Sequence, residues 1–133
     1  MPNAFFDSFG EGLARKKVDW ENDDWILVLV DTEKYKVDLV KHKTLNDVPP
    51  GARVAVSKAI PGCAVKGFVL DAEDMVIERV NGPLCRAAII AQKTLLGGVL
   101  GIWIEEAEWL PFLPNGGDLV VRWPNGETKL AKF

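Results

Sequence analysis

Residues that usually carry chemistry are scarce in this chain of 133 residues, which holds one histidine, two cysteines and one tyrosine. A single histidine, His42, leaves no imidazole pair for a zinc site and no partnered general base, and it is expected at the surface. Cys63 and Cys85 are too far apart for a redox CxxC pair. Two fates stay open for them: buried small hydrophobes, or a disulfide within or between chains. The patterns G-x-S-x-G and H-E-x-x-H and a glycine-rich phosphate loop are all missing. Ser8 and Ser57 lack the flanking pattern of an activated nucleophile. No catalytic residue, cofactor site or metal ligand is therefore assigned, and the chain is expected not to be an enzyme.

Long apolar runs are missing too. The longest, Leu95 to Ile104, is about half of what a membrane-spanning helix needs and contains three glycines. The start, Asn3-Ala4-Phe5-Phe6-Asp7, lacks the basic region of a secretory signal. Positive charge is also in short supply: 16 Lys and Arg stand against 19 Asp and Glu, a net charge of −3. A nucleic-acid binder needs a basic footprint, so neither nucleic acid nor membrane is an expected partner. Arg15-Lys16-Lys17 is the one basic run, and it reads as a solvated helix end.

What is present describes a globular object. Hydrophobic residues make up 48% and charged residues 26%, which suits one domain over residues 1–133 that buries roughly two thirds of its unfolded surface. Residues 4–16 read as a short amphipathic helix, with Asn3 as N-cap and Phe5, Phe6, Phe9 and Leu13 on one stripe. That stripe must be buried on the chain's own sheet or on a neighbouring subunit. Trp25 to Val30 is continuous and β-branched, the mark of a strand buried on both faces. Residues 33–51 form a long loop without clear periodicity, and such loops are often functional or interfacial.

From Ala52 onward short apolar runs alternate with turn residues: 52–57, 64–70, 75–80, 84–92 and 99–104. Near the C-terminus Leu119, Val121 and Trp123 share one face of a strand, with Val120 and Arg122 on the other. Pro124-Asn125-Gly126-Glu127 is expected to fold residues 128–133 back as the closing strand of a hairpin. The total is about eight short strands and one helix. The fold class that follows is mainly β, a single-domain β-sandwich of jelly-roll type.

Of three acidic groups, Asp23-Asp24 punctuate the start of a strand, Asp71/Glu73/Asp74 lack the glycine and distal glutamate of a calcium loop, and Glu105/Glu106/Glu108 are expected to face water. Aromatics are more suggestive. Trp109-Leu110-Pro111-Phe112-Leu113 puts apolar bulk in a loop, as a lid over one end of the sandwich or as a docking patch. Phe5, Phe6, Phe9, Trp109 and Phe112 are the candidate protein-interface residues.

Several blocks carry a resemblance. These are Ala4-Phe5-Phe6-Asp7, then Asp19-Trp20 leading into Ile26 to Thr32, and Asn46-Asp47-Val48-Pro49-Pro50-Gly51-Ala52-Arg53-Val54-Ala55. Leu113-Pro114-Asn115-Gly116-Gly117-Asp118 and Trp123-Pro124-Asn125-Gly126 follow. Together they resemble a family of small tailed-bacteriophage virion structural proteins over nearly the whole chain. The blocks are turns, so no catalytic residue comes with them. Between them the chain is more apolar than such proteins tend to be, at Ile60, Phe68, Met75, Leu95, Leu96, Trp103 and Trp109, which implies apolar surface buried in an assembly.

The resemblance implies a virion component made in the host bacterial cytoplasm. Its partners would be the major capsid protein and copies of itself, as a capsid decoration or cement protein, or tail and connector proteins. A host-glycan-binding β-sandwich is the alternative of a different class, suggested by the tryptophans and the acidic clusters.

Overall fold

The chain is built around one antiparallel sheet whose central strand has no solvent face. The structure, a computed structural model, describes residues 3–66, 69–94, 98–123 and 131–132. In chain order the elements are β1 (Ala4–Phe5), α1 (Asp7–Ala14), β2 (Trp25–Val30), β3 (Arg53–Val56), β4 (Ala64–Lys66) and β5 (Val69–Asp71). These are followed by β6 (Met75–Ile77), β7 (Ala87–Gln92), β8 (Leu100–Ile104), β9 (Leu119–Val121) and β10 (Ala131–Lys132). The main sheet runs β1-β8-β7-β2-β3, and two smaller ladders are ordered β10-β5-β4 and β6-β9. The domain is mainly β with one short helix, as the sequence pattern predicts.

Alternation along β2 sends Trp25, Leu27 and Leu29 to one face of the sheet and Ile26, Val28 and Val30 to the other. All six are buried. The first face packs on Leu70 of β5, Ile77 of β6, and Leu119 and Val121 of β9, so the small ladders form the second layer. The other face is covered by Tyr35, Val48 and Ala52, with Val37, Leu39 and Leu45 at its margin. The long 33–51 segment, an expected functional loop, is thus the lid of the second face. Its two short 3-10 turns, Leu45–Asp47 and Pro50–Ala52, hold its end.

The N-terminus differs from the expected helix over 4–16. Ala4 and Phe5 pair with Trp103 and Ile102 of β8, and the helix begins only at Asp7. Asn3 is not its cap. Its side chain accepts from the Glu105 and Glu106 amides at 2.8 and 2.9 Å and donates to the Glu106 carbonyl. A sheet edge was available to bond the first residues, and strand pairing there satisfies more main chain than another helical turn. Arg15, Lys16 and Lys17 do lie exposed just beyond the helix.

Two further differences arise from how the strands pair. The single strand expected over 64–70 is the antiparallel pair β4 and β5, with Val65 opposite Leu70. Among the described residues the expected C-terminal hairpin pairing is also replaced: β9 pairs with β6 and β10 with β5. The turn at 124–127 lies outside the described residues. Trp123 explains the choice, because its amide donates to Asp74 Oδ1 and its indole N–H to the Glu73 carbonyl, both at 2.9 Å. These bonds seat β9 beside the 71–74 corner, where Leu119 and Val121 join the core.

Gly101 marks a bulge in β8. Ile90 faces Ile102 but Ala91 faces Leu100, so one residue is extra. A Cβ on Gly101 would lie 3.0 Å from the Ile90 carbonyl and 3.3 Å from both Phe9 and Trp25. Gly101→Ala is therefore expected to destabilise the fold by about 1–3 kcal/mol, read as a lower melting temperature with unchanged secondary structure.

Candidate functional site

Exposed apolar side chains meet across the β6–β9 ladder. Leu119, Val121 and Trp123 are buried while Asp118, Val120 and Arg122 are exposed, the alternation expected from the sequence. On β6 the same rule buries Ile77 and leaves Val76 out. Val76 and Val120 are directly opposite each other, 49% and 46% exposed. Side chains so paired touch, which makes two apolar positions one stripe.

Beside β9 runs the 108–113 segment. Cys85 and Phe112 exchange two main-chain hydrogen bonds of 2.8 Å, fixing this segment to the core. A groove of about 410 Å³ lies between it and β9, lined by Glu108, Trp109, Pro111, Phe112, Leu119, Val120 and Arg122. Leu113, 67% exposed, follows directly in the chain. The floor is apolar, and one acidic and one basic side chain flank it.

The five candidate interface residues separate on this structure. Phe6 and Phe9 are fully enclosed, so they present no surface to a partner, and their assignment to an interface is corrected. Phe9 packs edge-on to Trp25 at 5.4 Å, and Phe6 joins the opposite core. Trp109 is also mostly enclosed, at 8% exposure. Its ring meets Trp123 at 6.0 Å and 85°, and its indole N–H donates to the Arg122 carbonyl, so it acts as a lid and lines the groove with an edge. Phe112 and Phe5 are half-buried; Phe112 lies in the groove, whereas Phe5 stacks on Phe9 far along the chain.

Of the apolar surplus expected to be buried in an assembly, Ile60, Trp103 and Trp109 are in this chain's own core and Met75 packs half-buried against it, while Phe68, Leu95 and Leu96 lie outside the described residues. Val76 and Val120 were missed as a site because their contact depends on β6–β9 pairing. The 118–123 alternation was the one available signal.

The polar residues are occupied with main-chain bonding. His42 is half-buried rather than a free surface residue. Its Nδ1 lies 3.1 Å from the Asp38 amide, which can only donate, so the ring proton sits on Nε2 and the Tyr35 hydroxyl donates to Nδ1 at 2.8 Å. Burial, and then the charges of Asp47 and Asp38, push the Tyr35 hydroxyl up, so it stays a donor. Amide donors hold the Asp38 and Asp47 carboxyls below their ordinary value, Lys41 first for Asp38 and Lys43 first for Asp47. Ser8 donates to the Leu100 carbonyl, and Ser57 Oγ accepts from the Leu27 amide. The Tyr35, Asp38, His42 and Asp47 bonds hold the 33–51 lid together, and the bridge of Thr44 with Val99 ties it to the chain entering β8. Among the described residues no group of three or more His, Cys, Asp or Glu is gathered to hold a metal, and no helix is long and apolar enough to cross a membrane.

Cys63 and Cys85 are free thiols. Burial pushes both up to about 11, helped by Asp24 for Cys63 and by Asp31 for Cys85. The thiolate is the reactive form, so little reaction with a thiol reagent is expected at pH 7–8. Labelling of half-buried Cys63 should climb as pH approaches 11, ahead of enclosed Cys85. Rapid labelling of either thiol at pH 7 in the folded protein would contradict this.

No protein-family model matches this chain, and no curated protein matches it either. The family reading therefore rests on the residue blocks themselves, above all 46–55 and 113–118.

Proposed function

We propose that the protein is a non-catalytic structural subunit of a tailed-phage virion, acting as a capsid decoration or cement protein that bridges capsid subunits. The observation that carries this reading is the outward stripe of Val76 and Val120 beside the Phe112 groove. Contiguous exposed apolar surface on a folded domain marks a place for a protein partner. The acidic balance suits an outer face that remains soluble and does not bind the packaged nucleic acid. The resemblance of the 46–55 and 113–118 blocks to virion proteins supplies the kind of assembly. Its partners would be the major capsid protein and further copies of itself.

The test is reconstitution. Heads assembled without this chain are mixed with purified protein, washed, and heated while genome release is followed. The expected result is binding that saturates at a multiple of the capsid lattice, with release moved to higher temperature. Binding to tails alone, at a few copies, would replace the cement role with a tail role. Binding to neither would overturn the virion reading.

A further inference from the structure

From the direction of the β9 main chain and the charges beside Val120, we infer that β9 is a self-complementary edge that pairs antiparallel with β9 of a second copy. The inference goes beyond the virion reading and does not depend on it.

The direction of the main chain is fixed by two hydrogen bonds. The Trp123 amide points toward β6, where it donates to Asp74 Oδ1, and the Arg122 carbonyl points the other way, where it accepts from Trp109. In a strand the amide and carbonyl of one residue point to the same side, and those of the next residue point to the opposite side. The amide and carbonyl of Val120 therefore share the side of Arg122, away from β6 and toward the groove. Among the described residues β9 is the last strand of its ladder on that side, and an edge of this kind is a template for another strand.

The occupant is read from the charges. The exposed face of β9 carries Asp118, Val120 and Arg122 in turn. In an antiparallel pair centred on Val120, each Val120 faces the other, and Asp118 of each copy faces Arg122 of its mate. Both charged contacts are thus of opposite sign, and Val76 of each copy extends the valine stripe across a joined β6-β9-β9-β6 sheet. Opposite charges directly across strands are favourable and like charges are not. Asp118 Oδ1 accepts from the Arg79 amide, which turns this exposed carboxylate toward the outer face where a guanidinium can meet it. Trp109 covers the Arg122 carbonyl at each end, so the ladder is short and its main-chain bonds are those of Val120. β3, the last strand of the main sheet among the described residues, lacks this symmetry: Arg53-Val54-Ala55-Val56 and nearby Lys58 offer cations with no anion to match.

Sedimentation of the full-length protein over concentrations up to about 1 mM tests this, with circular dichroism and melting curves verifying that each variant is folded. The wild type should form a dimer. Arg122→Asp sets a second carboxylate against Asp118 of the mate and should weaken the dimer at least about tenfold. The double variant Asp118→Arg/Arg122→Asp restores opposite charges and should regain it, as should an equimolar mixture of Arg122→Asp with Asp118→Arg. A wild type that stays monomeric at the highest concentration overturns the inference. So does an Arg122→Asp dimer of undiminished strength, or a loss that neither the folded double variant nor the mixture rescues.

Discussion

Phe9→Ala is expected to destabilise the protein by about 3–5 kcal/mol, a fall in melting temperature of roughly 10 °C or more for a chain of this size. The ring has no exposed surface and is held between the stacked ring of Phe5 and the edge-on ring of Trp25. Its removal leaves a cavity beside Gly101, Trp25 and Phe5, and such cavities close only in part. Phe5→Ala removes a half-buried ring at the surface and should cost about 1 kcal/mol. The contrast separates two roles. If Phe9 were an interface residue, the isolated variant would melt like the wild type and lose only partner binding. That outcome would contradict the placement of the N-terminal phenylalanines in the core.

Trp123→Ala should have an effect of similar size, about 3–5 kcal/mol, for a different reason. Trp123 is where the second layer is fastened. Its amide and indole both donate to the 71–74 corner, and its ring supports Trp109, which covers the end of the core. Loss of the side chain should loosen β9 from β6 and raise hydrogen exchange at Met75–Ile77 and Leu119–Val121 before the main sheet is affected. Trp123→Phe keeps bulk but loses the indole donor, leaving the Glu73 carbonyl to find water, so a loss of about 1–2 kcal/mol is expected. Equal exchange across both layers in Trp123→Ala would show that the small ladders are not a separate unit fastened by this residue.

Local pattern was legible wherever one residue's neighbours are set by the chain itself. The continuous run Trp25 to Val30 reads as a strand buried on both faces, and it is one. The alternation at 118–123 separates buried from exposed side chains correctly. Pairing was not legible. Residues 119–121 and 131–132 look like neighbours in a hairpin, yet each bonds to a different strand of the 69–77 region, because Trp123 takes its partners from the acidic corner. The 33–51 segment lacks periodicity since it lies across a sheet face, bonded within itself through Tyr35, His42 and Asp47 and joined to the chain entering β8 by the single bridge of Thr44 with Val99. For the same reason the phenylalanine stripe was ambiguous. Apolar spacing says that Phe6 and Phe9 are covered, and only the fold says by what.

The candidate site shows the same division. Val120 and Arg122 were placed on an outward face from sequence, but Val76 lies far away along the chain and joins them only through the β6–β9 register. Trp109 and Phe112 attracted notice as aromatics in a loop, and the structure gives them unequal parts: one is a lid, the other is groove wall.

The most direct test of the proposed virion role is a search for this chain in intact, washed tailed-phage particles assembled in its presence, followed by their reconstruction. The account predicts copies on the head surface in numbers set by the capsid lattice, with the Val76–Val120 face buried in contacts. Particles that lack the chain, or that carry it with this face turned to solvent, would contradict it.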